Sequence, residues 1–187
     1  MKKFGGHLKF KRKIIDKIEL DRILKRMANE VIERNKDYEN LYIVGIHTRG
    51  VPLAKRVTSY IEEFEDVELQ VGALDVTLYR DDLNNIEHQP KIKDSILRFD
   101  IEGKKILLVD DVLNTGRTVR AALNALIDYG RPRSIQLMVV VDRGNRELPI
   151  QADYVGKKVP TSHDEVIKLY LSDYDKKEEV DIFETEK

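Results

Sequence analysis

The sequence predicts an α/β protein with a central, mostly parallel sheet flanked by helices. Three observations carry that prediction. Short apolar runs at 41–46, 106–109 and 134–141 have the Val/Ile/Leu character of strands buried on both faces. Segments with apolar residues at helical spacing lie between them. Each apolar run stops abruptly at polar residues that open a loop, so strand-turn-helix units follow one another. That order builds right-handed crossovers and gathers the loops at the carboxyl edge of the sheet, where open α/β folds bind ligands.

In chain order, residues 1–13 carry six Lys or Arg and no acid. A short basic terminus of this kind reads first as a solubilising tail and second as an RNA-binding arm. Asp16 with Glu19 makes a capping box, and Leu20, Ile23, Leu24, Met27 and Val31 recur at helical spacing as far as about Asn35. The outer face of that helix carries Arg22, Lys25, Arg26 and Arg34, the pattern of a solvated surface. Residues 41–46 (LYIVGI) form a buried strand running into His47-Thr48-Arg49-Gly50. Pro52 then marks a second helix to about Phe64. Alternation over 69–78 predicts a strand. The polar stretch 79–95 lacks periodicity and reads as a flap over a site.

The strand at 106–109 is followed by a turn over 112–117 and a helix from Thr118 to Tyr129. Gly130 lies at its end, and Pro132 blocks continuation. Strands are expected at 134–141, 152–155 and 166–171, with a polar loop at 145–150. Residues 173–187 form a tail with seven acids against three bases. The whole chain, 1–187, reads as one domain, since 187 residues suffice for one sizeable core.

Composition narrows the function. Net charge is −1, so no global basic excess points to nucleic acid. The absence of cysteine excludes disulfide and thiol chemistry and suits a reducing cytoplasm. No apolar run is long enough to span a bilayer, and no apolar signal segment follows the basic start, so a cytoplasmic location without a membrane partner is expected. The histidines His7, His47, His88 and His163 show no metal-ligand spacing, so no protein-held metal is expected.

The chemistry is concentrated in ILLVDDVLNTGRTVRAA at 106–122. Asp110 and Asp111 end the strand, and ionised carboxylates side by side accept hydrogen bonds from two neighbouring hydroxyls. Thr115, Gly116, Arg117 and Thr118 then open a helix. Its unpaired backbone N–H groups and dipole favour an anion there, Gly116 admits close approach, and the threonine hydroxyls add donors. A diol beside a phosphate fits both halves, which describes a ribose 5-phosphate. Arg49, in the second strand-loop-helix, is placed to grip a pyrophosphate bidentately.

Four apolar residues, two acids, three spacers and T-G-x-T together resemble the phosphoribosyl pyrophosphate (PRPP) signature of the type I phosphoribosyltransferases. Further segments, GIHTRG at 45–50, DVTLYRDDL at 75–83 and VDRGNRELPIQADYVGKKVPTS at 141–162, resemble the branch of that family that also regulates pyrimidine operons. The resemblance covers about 16–184. It implies the type I phosphoribosyltransferase fold with a flexible flap, conversion of uracil and PRPP to UMP and pyrophosphate, and Mg²⁺ carried by the pyrophosphate. It also implies RNA binding to the leader mRNA of a pyrimidine operon, responsive to UMP or UTP, and a homodimer or homotetramer.

Carried over by position, Asp110 and Asp111 would hold the ribose hydroxyls and favour positive charge at C1 as catalytic residues together with Arg49. Thr115, Gly116, Arg117 and Thr118 would hold the 5-phosphate, and Val112, Leu113 and Asn114 before them would also contact PRPP or the nucleotide. Thr48 and Arg49 would take the pyrophosphate and Arg80 would close from the flap, while Arg143 and the backbone near Ile167 would lie about the base. RNA contacts would fall on Arg26, Arg34, Arg146 and Lys157. The sequence departs from the family at His47 (usually Lys), Asn114 (Tyr), Asn145 (His), Asn29 (His) and Gln151 (Arg). Two other readings share the phosphate sites: a nucleotide sensor with negligible turnover, and a purine-type phosphoribosyltransferase on the same fold.

Overall fold

The computed structural model describes residues 7–79 and 97–186. Residues 80–95 of the expected flap, Arg80 among them, lie outside the described residues. Five strands form a parallel sheet: β2 (Leu41–Ile46), β3 (Gln70–Leu74), β4 (Lys105–Leu113), β5 (Ser134–Asp142) and β6 (Tyr154–Lys158), in the order β3-β2-β4-β5-β6. Helices α1 (Lys17–Arg34), α2 (Gly50–Glu65) and α3 (Arg117–Tyr129) flank it. One core layer packs α1 and α2 through Leu20, Leu24, Met27, Leu53 and Val57 against Ile43, Leu107 and Met138 of the sheet. The other packs α3 through Ala121, Ala122 and Leu126 against Val44, Leu108 and Val139. Alternate residues of β4 thus face opposite layers, as a strand buried on both sides requires.

The chain ends depart from expectation. Residues 8–13 of the expected basic tail, together with Ile14 and Ile15, form β1 (Leu8–Ile15). Part of the acidic end forms β8 (Glu179–Thr185), which pairs antiparallel with β1 on one side and with β7 (Glu165–Tyr170) on the other. Their opposite charges are the reason. Lys13 meets Glu179 at 2.5 Å, Lys11 meets Glu165 at 2.9 Å and also Glu184, and Lys177 reaches the fully buried Asp181 at 2.6 Å. Phe10 meets Phe183 edge-on.

Three boundaries also move. The strand expected over 69–78 ends at Leu74, because Asp75 accepts the Thr77 N–H at 2.8 Å and its hydroxyl at 2.5 Å, starting a 3-10 turn at Thr77–Tyr79. The strand expected over 152–155 starts later, because Asp153 is tied to Leu137 through both its N–H and its carboxylate. β4 runs on to Leu113, with Val112 and Leu113 still paired to Val141 and Asp142. The turn expected over 112–117 is correspondingly shorter.

Gly156 explains how α1 comes so near the sheet. A Cβ there would lie 2.6 Å from Ile23 and 2.4 Å from the Val140 oxygen. Arg26, one turn beyond Ile23, donates to the carbonyls of Val155 at 3.2 Å and Gly156 at 2.6 Å. Among the described residues no helix is long and apolar enough to cross a membrane.

Candidate active site

The site lies where β2 and β4 end side by side. Gly50, the first residue of α2, has room for no side chain: a Cβ would sit 2.3 Å from the Val109 oxygen and 3.4 Å from the Asp110 Cα. Gly45 is as confined, since its Cβ would lie 2.5 Å from the Gly50 oxygen. Two small residues therefore press the 47–50 loop onto the end of β4. Within that loop the His47–Thr48 peptide is cis, and the His47 N–H donates to the Leu74 carbonyl at 2.9 Å.

Within β4, beside the end of β2, Asp110 is buried and accepts the Asp111 N–H at 2.9 Å, while Asp111 accepts the Val112 N–H at 2.7 Å. Desolvation pushes the Asp111 carboxyl above its ordinary pKa. The Val112 N–H and the positive charge of Arg49 pull the other way. The charge of Arg49 thus bears on Asp111.

The cup follows directly. Gly116, at the N-cap of α3, has φ of 91°, a conformation that favours glycine. Arg117 donates its N–H to the Thr115 hydroxyl at 3.3 Å, and Thr118 completes the first helical residues. Asn114 holds a buried side-chain oxygen with no hydrogen-bond partner, directly before the cup.

The structure adds a buttress that sequence reasoning missed. The Thr115 carbonyl accepts the N–H groups of Glu147 at 3.0 Å and Leu148 at 3.1 Å, and the Glu147 carboxylate takes Arg117 Nε at 2.6 Å. Leu148 and Ile150 lie 3.4 Å from where a Gly116 Cβ would be. Arg146 binds inward as well, donating to the carbonyls of Asn114 at 2.8 Å, Ile150 at 2.9 Å and Gly144 at 3.0 Å and to the Asp142 carboxylate at 2.7 Å. The other expected RNA contacts lie elsewhere, on the α1–β6 surface. Arg26 holds the β6 carbonyls, Arg34 donates to the Asp153 carbonyl at 3.2 Å and stacks over Tyr154, and Lys157 reaches the Ile14 carbonyl and Glu19.

On the side expected to meet the base, Arg143 is buried, and burial lowers its guanidinium pKa. It donates to the Thr161 hydroxyl at 2.9 Å and to the carbonyls of Ser162 at 3.2 Å and Glu165 at 2.6 Å, so it ties β5 to the start of β7. Asn145, with φ of 57°, donates to the Thr161 carbonyl at 3.1 Å. Ile167 is buried in β7, paired with Ile182. Asp175 is another member that sequence reasoning missed: its two oxygens lie 3.2 and 3.3 Å from Arg49 Nη2. The run of acids around it masked it.

Residues 14–175 match the model of the phosphoribosyl transferase domain. The chain belongs to the phosphoribosyl transferase family. It is 54% identical over 179 residues to the bifunctional protein PyrR of Thermus aquaticus, covering 96% of this chain and 99% of that one. It is 56% identical over 173 residues to that of Deinococcus radiodurans, covering 92% and 94%. Among solved phosphoribosyltransferases, a hypoxanthine-guanine enzyme of Bacillus anthracis superposes with a TM-score of 0.71 at 16% identity over 96% of this chain and 100% of that one. The hypoxanthine enzyme of Trypanosoma cruzi gives 0.71 at 17% identity over 95% and 98%. These likenesses show the phosphoribosyltransferase fold: a parallel sheet flanked by helices.

Proposed function

We propose that the chain transfers a 5-phosphoribosyl group from PRPP to uracil, giving UMP and pyrophosphate, and binds the leader mRNA of a pyrimidine operon in response to UMP. The observation that carries the reading is one of placement. An acid pair late in β4 is followed by the N-terminus of α3, and the loop that ends β2 brings the positive charge of Arg49 to bear on Asp111. The name borne by relatives more than half identical, bifunctional protein PyrR, supports the double role.

In the reaction the C1–O bond to pyrophosphate breaks, the bond from uracil N1 to C1 forms, and the N1 proton passes to solvent or to the departing pyrophosphate. Asp110 and Asp111 accept the ribose hydroxyls and place negative charge beside the cationic C1. Thr115, the α3 N-terminus and Arg117 hold the 5-phosphate, and Thr48 and Arg49 hold the pyrophosphate. Mg²⁺ bound through the pyrophosphate oxygens would neutralise the leaving group. The residues present fit an ion that arrives with substrate. The acid pair offers two carboxylates, the oxygen donors that suit such an ion. The protein works in the cytoplasm as a homodimer or homotetramer.

The test is pyrophosphate release from PRPP and Mg²⁺ with uracil, and in parallel with hypoxanthine. Uracil-dependent release is expected. Release with hypoxanthine alone would make the enzyme purine-type, and silence with both while UMP still raises the melting temperature would leave a sensor.

A further inference from the structure

The ion pair between Arg49 and Asp175 joins the loop after β2 to the turn that follows β7, two parts of the chain whose roles in the site are otherwise separate. The turn is fixed by its own backbone. Asp175 Oδ2 accepts the Leu171 N–H at 3.0 Å, and the Asp175 N–H donates to the Leu171 carbonyl at 2.7 Å. The carboxylate is therefore anchored before it meets the arginine. It touches only Nη2 of the guanidinium. Nε is buried and has no hydrogen-bond partner, so one strong donor of the expected pyrophosphate ligand is desolvated and unsatisfied.

On the reading that Arg49 grips pyrophosphate, we propose that Asp175 is a positioning residue. It clamps one guanidinium nitrogen so that the remaining N–H groups stand ready for the diphosphate of PRPP. An arginine left to itself samples many rotamers, and ordering it on binding lowers affinity. A carboxylate held by backbone bonds removes that disorder beforehand, and its attachment to Leu171 keeps it from following the ligand. Asp175 touches no substrate atom in this scheme. The 5-phosphate cup lies on α3, so a ligand carrying only that phosphate is indifferent to Asp175.

The experiment compares Asp175→Asn, Asp175→Ala and the unaltered protein for PRPP, pyrophosphate and UMP binding, and for the KM of PRPP against kcat. Asn keeps an acceptor for the Leu171 N–H and removes the charge, so its melting temperature stays near that of the unaltered protein. The expected result is a roughly five- to ten-fold weaker affinity for PRPP and pyrophosphate in Asp175→Asn, seen in KM more than in kcat, with UMP affinity unchanged. Unchanged or tighter PRPP binding in Asp175→Asn overturns the proposal. So does a loss that appears only in Asp175→Ala, which would make the residue a turn closer, or an equal loss for UMP. If the unaltered protein binds neither PRPP nor UMP, the reading of the site itself fails, and that outcome is distinct from the others.

Discussion

Gly50 shows how much of the site depends on an absent side chain. The Val109 carbonyl occupies the position a methyl group would need, 2.3 Å from an ideal Cβ, and that carbonyl is backbone in a central strand that cannot yield. Gly50→Ala is expected to cost about 3 kcal/mol, the upper range for overpacking, and to weaken PRPP binding by displacing the Arg49 loop from Asp110. Urea unfolding with PRPP titration checks both, and wild-type values for both would refute the packing argument. The individual chemical residues were legible in the sequence for a related reason. Asp110, Asp111, Thr115 and Gly116 are adjacent in the chain, so local spacing already defines their geometry. Asp175 and Glu147 were not legible, because each acts on a residue far away in sequence, Arg49 and Arg117, and a solvent-facing carboxylate looks identical in sequence to a clamping one.

The strands and helices of the central layer follow from apolar runs and periodicity, and their ends moved where a side chain intervened, as Asp75 does after β3, or where strand pairing ran on, as at the end of β4. The small sheet was illegible for a physical reason. β1 alternates phenylalanine and leucine with lysine and arginine, and most of it remains exposed, so its burial pattern is weak. The other two strands of the small sheet supply the missing charges. Glu179 and Glu165 are held below their ordinary value of 4.5 by hydrogen bonds from Lys13 and Lys11. Carboxyls lowered by folding stabilise the sheet above that ordinary value, and the contribution fades as pH falls through the lower folded values. Acidification from pH 7 to below 4 should therefore loosen β1 first. Amide exchange at residues 8–15 measures this, and Glu179→Gln should lower the melting temperature at pH 7 by about 2 °C and have a smaller effect at pH 3. An equal effect at both values would dismiss the ion pairs as the cause.

At the scale of the molecule, the two proposed activities occupy different faces. The reaction site is at the carboxyl edge of the parallel sheet, whereas Arg26, Arg34 and Lys157 lie along α1 and β6. Arg34→Glu should therefore leave uracil-dependent turnover within about two-fold, weaken leader RNA binding by about ten-fold and reduce its salt dependence by about one ion. Filter binding across salt concentrations reads both RNA effects, and unchanged RNA affinity would remove α1 from that surface. Arg146 stands apart from the other three because its donors already brace the cup. The pairing of Leu8 with Thr185 also sets an order of assembly. During translation the parallel layer can gather as its strands emerge, in sequence order, but β1 must wait with its lysines uncompensated until β8 has been made. A chain lacking β8 would keep the parallel sheet yet leave β1 without its neighbour, an open edge available to other chains.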